Sequence, residues 1–328
     1  MPLLSADDPQ AVQLAAQALA AGELLAFPTE TVYGLGARAD DDAAVQRIYS
    51  AKGRPAAHPL IVHAADVAQA RLFAAHWPDT ADKLAQAFWP GPLTLIVPRR
   101  PGMAAAAAGG QDSIGLRVPA HPVARSLLAE ALRLGVPGVA APSANRFGRV
   151  SATTAAHAVQ EFGAELKVLD GGECPGGIES AIVDCRAAMP ALLRPGLLPR
   201  ARLEAVLGLP LGGRDEASPR ASGSLKSHYA PTARLRLMSE RQLRDALEVL
   251  GPQAAGLRLA VYSRSRLPLA RGVQHRQMPG DPAAVAHELF AALREFDAWG
   301  AKLIWVENPP GSPDWEGVRD RLTRAAAE

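Results

Sequence analysis

The chain has 328 residues, long enough for two domains with a core each, and 48% hydrophobic with 21% charged residues is ordinary for a globular protein. A formal net charge of +2 excludes no class of partner, whereas only two cysteines, Cys174 and Cys185, without CxxC spacing, exclude a disulfide framework and a cysteine zinc site. No run of about 18 apolar residues occurs, and the first residues lack the basic and apolar regions of a signal peptide, so a cytoplasmic protein with no membrane partner is expected.

Asp8-Pro9 ahead of Val12, Ala15, Ala16 and Leu19 predicts a helix with proline in its first turn, closed by Gly22. The apolar strand Leu24 to Phe27 stops at Pro28, which cannot donate to a ladder. Hydroxyls on Thr29, Thr31 and Tyr33 follow, with Gly34 and Gly36 behind them for positive φ or close approach of another backbone. A strand ending in hydroxyls suits ligand contact, and it suits an ordinary turn as well. A helix is predicted from Asp42 to Ala51, and then Lys52-Gly53-Arg54-Pro55 forms a short loop aiming two cations from one place. Arg offers a planar fork and Lys a compact charge, a pairing that suits a polyphosphate or carboxylate; a solvated basic turn is the plainer reading.

Leu60-Ile61-Val62 reads as a buried strand ending at His63, and residues 66 to 88 as two helical pieces broken at Trp77-Pro78. Strands Leu93 to Val97 and Ile114 to Val118, the second carrying Arg117, precede a helix from His121 to Leu134. The strand Gly138 to Ala141 then ends in Pro142-Ser143-Ala144-Asn145, repeating the pattern of a strand that stops at proline and presents small polar side chains. Thr153 or Thr154 caps a helix to Phe162; Val168 to Asp170, a glycine-rich turn, Glu179 to Asp184 and Leu192 to Gly196 follow, with a short helix after Pro199. Irregular alternation of this kind predicts a mixed sheet in an α/β sandwich.

Residues 208 to 233 are rich in Gly, Pro, Ser and Arg and read as a linker between a domain over 1–207 and one over 234–328. From residue 191 to 236 eight basic side chains stand against three acidic ones, which suits a polyanionic ligand or simple solvation. Beyond it, regular strand and helix alternation predicts a small parallel, Rossmann-like α/β domain.

Gly34-Leu35-Gly36-Ala37-Arg38-Ala39 fits a dinucleotide fingerprint on paper, but five residues separate it from the strand and no acidic residue ends the next one. Gly-Lys occurs nowhere, which removes a P-loop, and neither GxSxG nor HExxH is present. His76, His157, His275 and His287 read as ordinary surface or helix residues.

Taken together, Pro28-Thr29-Glu30-Thr31-Val32-Tyr33-Gly34-Leu35-Gly36, Lys52-x-Arg54, His58-Pro59-Leu60-Ile61-Val62-His63, Ser143-x-Asn145, Glu179-Ser180, Leu193-Arg194-Pro195-Gly196 and His228-Tyr229-Ala230-Pro231 resemble the YrdC-type L-threonylcarbamoyladenylate synthases in their long two-domain form. The resemblance covers nearly the whole chain. It implies an N-terminal YrdC-like domain and a nucleotidyltransferase that makes threonylcarbamoyl-AMP and pyrophosphate from L-threonine, bicarbonate and ATP. The product serves N6-threonylcarbamoyladenosine formation in tRNA, so downstream threonylcarbamoyl-transfer proteins, and tRNA or double-stranded RNA, are implied partners.

Carried over by position, the resemblance implies ATP contacts at Lys52, Arg54, His58, Ser113, Ser143, Asn145, Ser151, Arg194 and Tyr229, with Lys52 and Arg54 catalytic. It implies threonine contacts at Thr31, His63, Arg117, Ala141 through its backbone, and Ser180. The residue types suit this chemistry independently. A carbamate attacking an α-phosphate brings two anions together, which cations and dipoles must neutralise, and Mg²⁺ carried by the triphosphate needs no protein metal site. Two positions depart from the family pattern: Ala221-Ser222-Gly223 stands where the linker has Ser-Pro-Gly, and Ala181 where a threonine is common. Two rival readings are a non-catalytic module for double-stranded RNA, using a basic concave surface, and a carbamoyltransferase of the hydrogenase-maturation type, whose extra cysteines this chain lacks.

Overall fold

The computed structural model describes residues 3–223 and 225–327. It divides into two compact units, Met1–Phe147 with Ser151–Ser224, and Gly148–Val150 with Leu225–Glu328. The stretch expected as a linker is thereby split, its first part folding with the first unit and Tyr229 with the second.

The first unit is built from β1 (Leu3–Ser5), α1 (Ala11–Ala20), β2 (Leu25–Phe27), β3 (Gly34–Arg38), α2 (Asp42–Lys52), β4 (Ile61–His63), α3 (Val67–Arg71), α4 (Asp79–Phe88), β5 (Leu93–Pro98), β6 (Ser113–Arg117), α5 (Pro122–Arg133), β7 (Val139–Ala140), α6 (Ala155–Phe162), β8 (Lys167–Asp170), β9 (Ala181–Asp184), β10 (Ala191–Arg194) and α7 (Arg200–Leu207). Its strands form one mixed sheet in the order β1-β8-β2-β3-β7-β4-β6-β5-β9-β10. The sandwich with a mixed sheet is as expected.

Two features differ from the sequence reading. A short strand at Leu3–Ser5 pairs in parallel with β8. Gly34 and Gly36, expected to give positive φ or close approach behind the hydroxyls, lie in a strand, Gly34–Arg38, paired antiparallel to both β2 and β7. Its glycines serve close packing: a Cβ on Gly36 would stand 2.8 Å from both Phe27 and Val139.

Because side chains alternate across a strand, the sheet has two different faces. On one, Ala26, Val62, Leu95, Leu116, Ala140, Val168 and Val183 join the main core with α2, α4, α6 and α7. On the other, Leu25, Phe27, Val139, Ala141 and Leu169 are covered by α1 and α5. That helix pair covers the β8, β2 and β7 side. Farther along the same face, Ile61, Ile96, Ile182 and Leu193 pack with Ala221 instead.

The second unit comprises β11 (Arg234–Met238), α8 (Glu240–Leu250), β12 (Leu259–Ser263), β13 (Gln274–Gln277), α9 (Pro282–Trp299), β14 (Leu303–Glu307) and α10 (Glu316–Ala325). All four strands are parallel, in the order β11-β14-β12-β13. Helix α8 opens with a capping box at Ser239 and Gln242, and its Leu243 and Leu247 pack on Leu259, Val261 and Trp305. Tyr262, pointing the other way, donates to Glu288 of α9 at 2.7 Å. Helices on both faces of a parallel sheet make this a doubly wound domain.

Within that unit Tyr229 is 1% exposed, lies 5.4 Å from the Phe290 ring in stacked geometry and carries the Arg321 guanidinium 5.3 Å from its own ring centroid. No helix among the described residues is long and apolar enough to cross a membrane.

Candidate active site

Helix α2 ends where its chain chemistry says it should. Gly53 takes the left-handed conformation (φ 63°), its N–H and that of Arg54 closing on the Ser50 and Tyr49 carbonyls. The helix therefore delivers Lys52 from its last turn and Arg54 from just beyond its cap. Lys52 is 3% exposed, and its Nζ donates to the carbonyls of Ser143, at 2.6 Å, and Asn145. Burial first, then the neighbouring Arg54 charge, hold its ammonium well below its ordinary pKa against the opposing pull of Glu161 and Glu179. Arg54 donates to the Pro59 carbonyl at 2.9 Å and lies over the Phe147 ring, which also meets the His58 ring edge-on. Burial, with Arg54 and Arg220, lowers the His58 pKa as well.

Segment 141–145 threads between two other site segments. The Ala141 N–H donates to Ile61, Ser143 bridges Gly34, and the Ala144 N–H donates to Tyr33. Residues 29–34, 58–63 and 141–145 thus meet around the cations.

The second cluster lies on β4, β6 and β5. Alternation puts Ser113, Gly115 and Arg117 on the face away from Ile114 and Leu116, and Arg117 is the register partner of His63. Gly115 keeps the floor between Ser113 and Arg117 open; a Cβ there would be 3.3 Å from Thr94. The Arg117 guanidinium, 4% exposed, donates to Thr31 Oγ1 at 2.9 Å and to the Gly91 carbonyl at 3.3 Å, and its Nη2 stands 2.7 Å from Glu30 Oε1. Thr29 Oγ1 donates to the Val32 carbonyl at 2.7 Å and lies 2.8 Å from Thr31 Oγ1, so the hydroxyl chain runs from Arg117 through both threonines. His63 is 3% exposed, edge-on to Phe27, and its pKa is pushed down to about 3 by burial first and Arg117 second; it is a neutral ring.

The third group closes the site on β9 and β10. A register irregularity between Leu192 and Arg194 re-aims the strand end, and Arg194 donates to the Ser180 carbonyl at 2.9 and 3.1 Å, to Ser180 Oγ at 3.1 Å and to the Ser222 carbonyl at 3.0 Å. Ser180 Oγ lies 2.8 Å from Thr94 Oγ1. Gly196 is required here, since a Cβ would sit 2.2 Å from the Ala181 nitrogen. Ser151 donates to Glu179 at 2.5 Å, and Glu161 accepts from the Arg146 N–H.

Thirteen of the sequence-derived site positions therefore fall in the first unit; Tyr229 falls in the second. Four residues were not singled out by sequence reasoning. Thr94 had a signal, a polar side chain inside the apolar strand Leu93 to Val97. Glu30 and Glu179 stood inside quoted motifs without a task, and Glu161 looked like an ordinary helix residue. Among the described residues no three His, Cys, Asp or Glu side chains converge as a metal site.

What the site offers is buried cations, hydroxyls at their sides and, in Arg117, an N–H left unused among the described residues, an arrangement suited to holding anions together. Comparison with known proteins identifies the family. A family model described as "Telomere recombination" matches residues 17–196, and one described as "Threonylcarbamoyl-AMP synthase, C-terminal domain" matches residues 198–327. The threonylcarbamoyl-AMP synthase of Bacillus subtilis is 37% identical, over 98% of this chain and 94% of its own. That of Pyrococcus abyssi is 36% identical, over 96% and 94%. The crystal structure of P. abyssi Sua5 complexed with L-threonine superposes with a TM-score of 0.89 at 34% identity, covering 99% of this chain and 96% of that one. The chain thus belongs to the Sua5/YrdC family of threonylcarbamoyl-AMP synthases, in its two-domain form, and is an enzyme of the nucleotidyltransferase type.

Proposed function

We propose that the enzyme joins L-threonine and bicarbonate to the α-phosphate of ATP, releasing pyrophosphate, and that the threonylcarbamoyl-AMP formed supplies N6-threonylcarbamoyladenosine in tRNA through separate transfer proteins. A cytoplasmic reaction suits these substrates. The observation that carries this reading is the convergence of Lys52, Arg54 and Arg194 with the Arg117–Thr31–His63 group in one unit built on one sheet.

Lys52, Arg54 and Arg194 hold the phosphates, with His58, Ser113, Ser143, Asn145 and Ser151 around the rest of the nucleotide. Their positive charge offsets the negative charge that the carbamate brings to the α-phosphate. Arg117 takes the threonine carboxylate, and the Ala141 backbone, Thr31, Ser180 and the neutral His63 ring take its remaining polar groups. Mg²⁺ belongs to the triphosphate in this scheme, held by the phosphate oxygens and water, since no three His, Cys, Asp or Glu side chains converge among the described residues.

Pyrophosphate release from ATP and bicarbonate, measured with L-threonine, L-serine, L-valine or no amino acid, tests it. Release that needs threonine and is lost in Lys52→Ala supports the reading. Intact protein that releases none with magnesium present, yet binds double-stranded RNA with strong salt dependence, would transfer the assignment to an RNA-binding module.

A further inference from the structure

Glu30 occupies the turn after β2, between the two threonines of the hydroxyl chain. Its backbone is fixed: the Gly176 N–H donates to its carbonyl at 2.8 Å, an approach so close that a Cβ on Gly176 would lie 2.6 Å from that oxygen. Its side chain is 13% exposed, and both carboxylate oxygens are shut off from solvent without a hydrogen bond among the described residues. Arg117 Nη2 is close enough to form an ion pair but too poorly aligned for a hydrogen bond, so it too is left with an unused N–H. The neighbouring hydroxyls cannot help, because Thr31 donates to Thr29 and Thr29 donates to Val32.

A buried carboxylate without a donor is costly unless something else binds it. Here an unmet acceptor and an unmet donor stand side by side, the complement of an amino-acid zwitterion: carboxylate to Arg117, ammonium to Glu30. We infer that Glu30 receives the α-ammonium of the amino-acid substrate and removes the proton that must leave before the nitrogen can become a carbamate. This rests on the function proposed above.

The step balances. Glu30 carboxylate, the substrate ammonium and bicarbonate give protonated Glu30, the N-carboxylated amino acid and water. The nitrogen lone pair freed by Glu30 forms the N–C bond, the bicarbonate C–OH bond breaks, and hydroxide leaves as water with the second amine proton. Glu30 returns its proton to solvent after turnover. His63, the other candidate base, is a neutral ring set edge-on to Phe27, and the negative charge that complements an ammonium belongs to Glu30.

The test is Glu30→Gln, which keeps shape and loses charge and basicity, titrated with L-threonine and with 3-hydroxybutyrate, the same skeleton without the amine. The wild-type enzyme is expected to prefer threonine by about 100-fold or more, and E30Q to reduce that preference to below about tenfold, as removal of a buried charge partner does. Turnover in threonine-dependent pyrophosphate release should fall about 100-fold or more with the KM for ATP unchanged. Acetate should partly restore Glu30→Ala and not Lys52→Ala. Equal weakening of both ligands, or E30Q turnover like wild type, would overturn the inference and leave Glu30 a positioning group for Arg117. Absence of threonine-dependent release in the wild type would instead remove the proposed function itself. Should E30Q melt early, Glu30→Asp, which retains the base, decides the matter by whether the preference for threonine survives.

Discussion

Lys52 is the residue whose state most affects the site. Its pKa is lowered, mainly by burial, and the oxygens of a triphosphate bound at Lys52 as proposed would raise it again, so that ATP binding would take up a proton once the solution pH exceeds the lowered value. ATP affinity should therefore weaken as pH rises, by up to about tenfold per unit, and Lys52→Arg, which stays charged, should flatten the profile. Calorimetric titrations in buffers of different ionisation enthalpy check both the slope and the proton uptake. His63 bears on stability. Its folded pKa of about 3 lies below the unfolded value, so its contribution is complete above about pH 6.5 and is lost progressively as pH falls toward 3, by about 1.4 kcal/mol per unit. Denaturant melts of His63→Gln between pH 4 and 7 should show a correspondingly shallower dependence.

At the scale of elements, two glycines that look alike in sequence do different work. Gly53 closes α2 in the left-handed region with nothing within 4 Å of a would-be Cβ, so Gly53→Ala should cost about 1 kcal/mol and little activity. Gly196 packs against the Glu179–Ala181 backbone, so Gly196→Ala must displace the strand end bearing Arg194 and should cost several times as much, with loss of ATP binding. In the second unit, β12 and β14 are neighbours whose following chains diverge, one toward the α8 side and the other into α10 beside α9, a switch point where doubly wound domains usually bind ligands. Glu307 accepts there from the Arg264 and Ser265 N–H groups, the Arg264 guanidinium and the Ser265 hydroxyl. Glu307→Ala should lower stability by about 2 to 3 kcal/mol, read by urea unfolding.

For the whole molecule, the elements that announced themselves in sequence were those whose cause is local. Prolines at 28 and 142 stopped strands and Gly53 ended α2, whereas the caps of α2 at Asp41 and of α8 at Ser239 with Gln242 emerge only in the structure. Strand β1 escaped notice because three residues carry no period, and β3 because the reason for its glycines, Phe27 and Val139, lies in other strands. The site divides in the same way. Lys52 and Arg54 were legible from one helix end and the hydroxyls from one turn. Glu30 became visible only when the sheet brought Arg117, 87 positions away in the chain, against it, and Thr94, marked in sequence only as a polar residue in an apolar strand, gained its partner when β5 paired with β9 beside Ser180. The two-unit organisation was visible as a change from irregular to regular alternation, whereas the place where the chain passes between units depends on packing that composition does not encode.

The most direct measurement is the fate of radiolabelled bicarbonate incubated with enzyme, ATP and L-threonine. The account predicts label in an adenylate that also contains threonine, formed one for one with pyrophosphate and abolished by Lys52→Ala. Label that stays in bicarbonate while ATP yields ADP and phosphate, or while ATP is not consumed, would contradict it.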